Sequence, residues 1–355
     1  MSSATSLICY READVAHLTV ERANEPRVWQ HLAYLDSQSH FSDALKDAAQ
    51  FGIRYVLVGI PEDIGPRANC GLGGATQGWQ AFLKRFLNIA SNQFLDASKI
   101  LLLGEVDCRD LQQAADQLTN QGKDLQQLRE LCELVDQRVA EVLSAIFSAG
   151  LEPLVIGGGH NNAYGILKGL HRAKQTQVNA INCDPHADFR SREGRHSGNS
   201  FSYAYHEGIL SQYHVIGLHE QKNNQAIISG LCDAGATFNS YQELYVRRTT
   251  NLTQACERAL QRFNSKLPLG IEVDVDCISG MPVSAFTNCG MSVSDVEHFV
   301  HLGASQKQAA YLHLCEAAPG NHANGLAQGM NEAGQVLSAL VCSYLQARQA
   351  RHLVP

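Results

Sequence analysis

The 355-residue sequence contains no stretch of about 18 consecutive apolar residues, so no segment would span a bilayer as a helix. Its opening residues carry Arg11, Glu12 and Asp14 and no continuous apolar run of the kind that marks a secretory leader. No block of Lys and Arg stands out either. A net charge of −7 and a pI near 6.1 give no basic surface for nucleic acid and no polybasic membrane anchor. Eleven cysteines are present, yet none forms a C-x-x-C pair, and most sit in apolar segments such as Ile181–Cys183 and Leu312–Cys315. They read as the reduced thiols of a soluble, cytoplasmic protein. Internal repeats, low-complexity tracts and Pro-rich linkers are absent too, which leaves no seam along which to divide the chain.

What is present suffices for a large core, since 45% of the residues are hydrophobic. Short apolar runs alternate with longer amphipathic ones, the pattern of βαβ units. Strands are predicted at Tyr55–Gly59, Ile100–Gly104, Pro153–Ile156, Val178–Cys183, His214–Leu218, Leu269–Asp274 and Tyr311–Glu316. Helices are predicted at Leu128–Ala149, Asn162–Ala173, Leu252–Phe263, Ser294–Leu302 and Glu332–Arg348. In the first of these, Leu128, Leu131, Val135, Val139, Val142 and Ile146 keep one helical face apolar. The expectation is an α/β fold: a single three-layer domain over residues 51–355, with a mainly parallel sheet flanked by helices. Residues 1–50 are more polar, with helical stretches around Trp29–Asp36 and Ser42–Phe51, and are expected to form an N-terminal helical extension packed on that core.

The chemistry concentrates where strands end. N-C-D-P-H-A-D-F-R places Asp184, His186 and Asp188 at alternate positions after an apolar run, so in extended backbone the three side chains share one face. Two carboxylates and an imidazole converging in this way are electrostatically costly without a cation. E-V-D-V-D repeats the device with Asp274 and Asp276, and two such half-sites suit two metals. His160 follows three glycines in V-I-G-G-G-H, where the absence of Cβ atoms permits a sharp turn after the strand. Open parallel sheets bind ligands beyond the carboxyl ends of their strands, and all these residues, with Glu316 after Tyr311–Cys315, fall there.

Taken in order, G-G-G-H, D-P-H-A-D and D-V-D resemble the signatures of the ureohydrolase superfamily, which includes arginase, agmatinase and formimidoylglutamase, over roughly residues 53–345. The resemblance implies an arginase-like fold and a binuclear manganese hydrolase that cleaves a C–N bond in a linear amidine. His160, Asp184, Asp188 and Asp274 would hold one Mn²⁺ of the pair, and Asp184, His186, Asp274 and Asp276 the other, with Asp184 and Asp274 bridging. Asp188 would also act in catalysis. Glu316, in L-C-E-A-A-P, resembles the glutamate that pairs with the guanidinium or amidinium group, and His196, in G-R-H-S-G-N-S-F, stands as candidate proton shuttle to the departing nitrogen. The oxygen-rich, thiolate-free ligand set suits Mn²⁺ better than a structural zinc site. Its four carboxylates offset two dications and favour a cationic substrate group.

P-E-D-I-G-P-R-A-N-C-G, which contains Asn69, resembles the corresponding formimidoylglutamase turn. H-S-G-N-S-F is similar to that enzyme's H-S-G-T-x-F, while S-G-N alone, with Asn199, is similar to an arginase loop that holds the amino-acid head group. Arg190 adds a guanidinium fork suited to a carboxylate, although Glu193 could pair with it instead. Asn69, Arg190 and Asn199 are therefore candidate substrate contacts. N-formimidoyl-L-glutamate, yielding L-glutamate and formamide, ranks first among substrates, and a guanidino compound such as arginine or agmatine second. Pro185 in place of the usual small residue, C-I-S-G-M-P in place of the usual D-P after Asp276, and the missing Asp and Thr in Gly320–Gly329 alter loops that shape the pocket. A metal-dependent deacetylase would use one zinc and fewer carboxylates, and a non-enzymatic relative would not need all six ligand positions. The partners expected are a small amidine or guanidino acid and further copies of the chain in a homo-oligomer, with neither nucleic acid nor membrane.

Overall fold

The computed structural model describes residues 6–35 and 40–350. Nine strands form one sheet: β1 (Leu7–Cys9), β2 (Tyr55–Gly59), β3 (Ile100–Val106), β4 (Glu152–Ile156), β5 (Val178–Cys183), β6 (Leu210–Leu218), β7 (Thr237–Ser240), β8 (Leu269–Asp274) and β9 (Ala309–Cys315). Their order is β1-β3-β2-β4-β9-β8-β5-β6-β7. All pairings are parallel except that of β1 with β3.

Strand β2 shows why the domain has three layers. Its five residues are all buried, and alternate side chains enter opposite cores, Tyr55 and Leu57 on one face, Val56 and Val58 on the other. A strand apolar on both faces must be covered on both. Helices Gly78–Phe86, Leu252–Arg262, Val293–Ala304 and Leu326–Gln349 cover the first face, and Phe41–Gln50, Gly122–Ser148, Asn162–Lys174 and Ser200–His206 the second. None of the described helices is long and apolar enough to cross a membrane.

Strands β2, β5 and β8 have the bounds the sequence predicts. The edge strands β1 and β7, of three and four residues, are too short to show a period in the sequence. Helix Gly122–Ser148 starts six residues before its apolar stripe, and Leu326–Gln349 likewise starts six residues before the predicted Glu332, in turns with too few apolar residues to signal. The helix predicted around Trp29–Asp36 requires correction. Only Val28–His31 makes a 3₁₀ turn. Ala33 then lies alongside the start of β3, where β1 does not reach: its N–H donates to Ile100 O (2.9 Å) and its carbonyl accepts from Leu102 N (2.9 Å). Asp36 lies outside the described residues.

The strands that carry the candidate ligands, β4, β9, β8 and β5, are four consecutive neighbours at the centre of the sheet. Their carboxyl ends therefore open on one place.

Candidate metal centre and substrate cavity

The turn after β4 depends on glycine. Gly157 (φ +94°) and Gly158 (φ +69°) both occupy left-handed backbone, and a Cβ on Gly158 would stand 2.3 Å from Asn162 Nδ2. The loop closes around Glu62, fully buried, whose carboxylate accepts from Gly159 N (2.8 Å), Asn162 Nδ2 (2.7 Å) and Ile64 N (2.7 Å). His160 thereby points across the strand ends.

His160 Nδ1 lies 2.7 Å from Asp188 Oδ2, 3.2 Å from Asp184 Oδ2 and 3.7 Å from Asp274 Oδ2. His186 Nδ1 lies 3.2 Å from Asp276 Oδ2 and 3.5 Å from Asp184 Oδ1. The structure thus gathers two quartets with convergent ligand atoms, His160/Asp184/Asp188/Asp274 and Asp184/His186/Asp274/Asp276, which share Asp184 and Asp274. Their remaining lone pairs are held from behind. Asp184 accepts from His186 N (2.6 Å) and Asn182 Nδ2 (3.0 Å), and Asp274 accepts from Asp276 N (2.9 Å).

Electrostatics make the same demand. Burial, then the Asp276 and Asp184 charges, pushes Asp274 well above the ordinary carboxylate range. Burial and Asp184 raise Asp188 to about 6. Asp184 is also opposed by burial, but the imidazoles of His160 and His186 beside it hold it below the usual range. His160 Nδ1 and Asp276 Oδ1 are buried without any hydrogen bond, despite short approaches between His160 and the carboxylates. Atoms that converge without bonding one another, in a set of two imidazoles and four carboxylates, fit a pair of hard divalent cations. The site is a binuclear metal centre.

Asp188 (φ +46°) and Glu316 (φ +66°) adopt backbone conformations that non-glycine residues rarely occupy. Glu316 is pinned to the β4 turn: its N–H donates to Gly158 O (2.9 Å), and its Oε1 accepts from His160 N (2.9 Å). Burial lifts its carboxyl to about 8 against that hydrogen bond. His186, Asp188, Asp274, Asp276 and Glu316 floor a cavity of about 1210 Å³, and Arg190 and Asn69 line its wall. Arg190 Nη1 donates to Asn69 Oδ1 (2.7 Å) and Nη2 to Glu193 Oε1 (3.1 Å), so the expected alternative partner is engaged while the guanidinium still faces the cavity.

Two candidate residues are not brought to the cavity. Asn199 is fully buried with all its hydrogen-bonding capacity used: its Oδ1 accepts from Arg195 Nη1 and His196 N, and its Nδ2 donates to Ser191 O (3.2 Å) and Gly194 O (2.9 Å). The cause is Arg195, which turns inward to pair with Asp136 (2.7 Å) and stack on Tyr164 and Tyr203, carrying the loop with it. His196 is buried behind the cavity wall. Its Nδ1 accepts from Gly198 N (3.1 Å), burial together with Arg190 and Arg129 lowers it to about 3, and its ring does not line the cavity.

One further residue at the site carries no assignment from the sequence. Glu272, fully buried on β8, accepts from Tyr311 OH (2.6 Å), pairs with His313 Nδ1 (2.6 Å) and stands 3.5 Å from His160 Nε2. It stands behind the imidazole whose other nitrogen faces the metal position, although His160 Nε2 makes no hydrogen bond at that distance. The visible signal is Glu272 two positions before Asp274, on the same face. Cys183 and Cys277, by contrast, turn into the core, with sulfurs 3.6 Å apart.

Comparison with known proteins agrees with the architecture. The formimidoylglutamase of Chromobacterium violaceum is 28% identical over 269 residues, which cover 74% of this chain and 80% of that protein. That of Streptococcus pyogenes is 26% identical over 296 residues, covering 78% and 82%. Among solved structures, Trypanosoma cruzi formiminoglutamase with Mn²⁺ superposes with a TM-score of 0.68 at 20% identity, over 91% of this chain and 99% of that one. Bacillus subtilis formimidoylglutamase gives 0.70 at 15% identity, over 95% of each. A family model described as the arginase family matches residues 53–342, the span from the start of β2 to the last helix, and the chain belongs to that family.

Proposed function

We propose that the protein hydrolyses the C–N bond of N-formimidoyl-L-glutamate, releasing formamide and L-glutamate, with Mn²⁺ as the metal pair. The observation that carries the reading is the pairing of two metal quartets on the cavity floor with Arg190 and Asn69 on its wall. The names borne by the curated relatives support it. Two bound divalent ions supply a nucleophile derived from water at neutral pH and neutralise charge that develops at the carbon under attack. Glu316, with Oε1 committed to His160 N, offers Oε2 to the amidinium nitrogens. Asp188, whose carboxylate borders the metal position at the cavity floor, would take up the proton that the attacking water loses. Arg190 meets a carboxylate at the substrate's far end.

The test is a product assay on purified protein loaded with Mn²⁺, against formimidoylglutamate, arginine, agmatine and guanidinobutyrate. Formamide and glutamate in equal amounts are expected. Urea from a guanidino substrate, with no turnover of formimidoylglutamate, would replace this reading with arginase- or agmatinase-type chemistry.

A further inference from the structure

Arg190 reaches the cavity with both terminal nitrogens taken. Nη1 donates to Asn69 Oδ1 (2.7 Å) and Nη2 to Glu193 Oε1 (3.1 Å). The second partner is a carboxylate, the group that the substrate's far end would itself bring, and Nη2 belongs to either bidentate grip that a guanidinium can offer. Neither side chain is closed off from solvent: Arg190 is 42% exposed and Glu193 36%, and both line the cavity. A ligand entering the cavity therefore meets this pair as it stands, and its carboxylate must share or take over the Nη2 that Glu193 holds.

Letting go of Arg190 does not leave Glu193 without a counter-charge. The same Oε1 lies 3.3 Å from Arg129 Nη2, while Oε2 accepts from Ser191 Oγ (3.0 Å). Arg129 Nη1 also donates to the Glu193 carbonyl (2.6 Å), which ties the residue to helix Gly122–Ser148. Arg129 is 16% exposed and is not among the residues that line the cavity, so it serves Glu193 and not the ligand. One carboxylate is thus shared by two guanidinium groups, an inner one that is fixed and an outer one that is open to exchange.

We infer that Glu193 is a specificity-determining residue: a resident carboxylate that competes with the ligand's own carboxylate for Arg190 and retreats to Arg129 when displaced. Two carboxylates on one guanidinium repel each other, so anionic ligands bind more weakly than Arg190 alone would allow. The product feels this most, because it keeps its carboxylates and has lost the amidinium that the acidic floor attracts, and Glu193 favours its release. That a carboxylate comes to Arg190 rests on the reading above, whereas the competition does not depend on which amidine is attached to it.

The test uses two probes, L-glutamate, which has the carboxylates and no amidine, and formamidine, which has the amidine and no carboxylate. Binding of each to Mn²⁺-loaded protein is measured calorimetrically for wild type, Glu193→Gln and the double variant Glu193→Gln/Arg190→Gln, alongside KM for formimidoylglutamate. Glu193→Gln removes the charge and keeps the side chain's length. It is expected to tighten glutamate binding and lower KM by about three- to tenfold, the size of a part-exposed ion pair, and to leave formamidine within about twofold. The double variant should lose the gain, which places the effect at Arg190. Glutamate binding that is unchanged or weaker in Glu193→Gln would overturn the competition, a weaker one marking Glu193 as a mere support for Arg190, and turnover of formimidoylglutamate would leave the hydrolase reading standing. Equal tightening of formamidine would overturn it as well. Tighter glutamate binding in a protein that hydrolyses no formimidoylglutamate would uphold the competition and overturn the substrate. Should Glu193→Gln fail to fold, Glu193→Ala carries the same comparison.

Discussion

Replacing Glu272 by glutamine tests whether the carboxylate behind His160 governs metal binding. In the native site Oε1 receives the Tyr311 hydroxyl and Oε2 faces both His313 Nδ1 and, at 3.5 Å, His160 Nε2. Hydrogen bonds to a buried charged acceptor contribute about 1.5–3 kcal/mol each. Glutamine retains one acceptor oxygen and turns an NH₂ group toward a second donor, so one contact is kept and one becomes repulsive. A stability loss of about 2–3 kcal/mol follows. The carboxylate behind a metal-binding imidazole is typically worth about 10–100-fold in metal affinity. Titration of the metal-free protein with Mn²⁺ in a calorimeter should show a loss of that size, equivalent to about 1.4–2.7 kcal/mol. Tyr311→Phe is the control, since it removes the other hydrogen bond without touching His160; it should lower stability and spare the affinity. Wild-type affinity in Glu272→Gln, or equal affinity losses in the two variants, would refute the argument.

Asp274→Asn should abolish turnover and metal retention more completely than His160→Ala, because Asp274 belongs to both quartets and His160 to one; metal content after desalting decides between them. Asn199→Ala should destabilise the fold by about 2–4 kcal/mol through lost and orphaned hydrogen bonds, while KM stays within about twofold. A raised KM at unchanged stability would return Asn199 to the substrate. His214 is buried remote from the cavity, and burial together with Arg262 lowers it to about 4 from 6.5. It stays neutral in the fold and must gain a proton on unfolding, so its stabilising effect is complete above about pH 6.5 and is lost as pH falls toward about 4. The loss is on the order of 2–3 kcal/mol. Urea denaturation of His214→Gln between about pH 7 and 4 should show a shallower acid limb than wild type, and an identical limb would rule out His214 as the cause.

The parts of the site that were readable from sequence are those in which local geometry alone aligns the groups. Asp184, His186 and Asp188 share a face because extended backbone alternates, whatever surrounds it. Glu272 obeys the same alternation, but a single acid inside an apolar strand acquires meaning only when Tyr311 and His313 arrive from the neighbouring β9. His196 and Asn199 lie outside the cavity lining because their loop is turned inward by Arg195, whose partner Asp136 is 59 residues away. In the sheet, the long buried strands declared themselves through apolar runs, whereas β1 and β7 are defined by pairing with a neighbour's edge, which is tertiary information.

The strand order has a consequence for how the molecule comes into being. Strands β1 to β4 form one contiguous half of the sheet and β5 to β8 the other, and β9, the last to be synthesised, is the strand inserted between them. A ribosome releasing this chain therefore exposes two half-sheets whose raw parallel edges, β4 and β8, wait for residues 309–315. Asp184, His186, Asp274 and Asp276 all belong to the later half, whereas His160 hangs from the earlier one. One ion can thus find its ligands before the sheet closes, while the other must wait for the final strand. The strand order predicts ordered metal loading, and chains stalled before β9 should capture fewer divalent ions than the released protein.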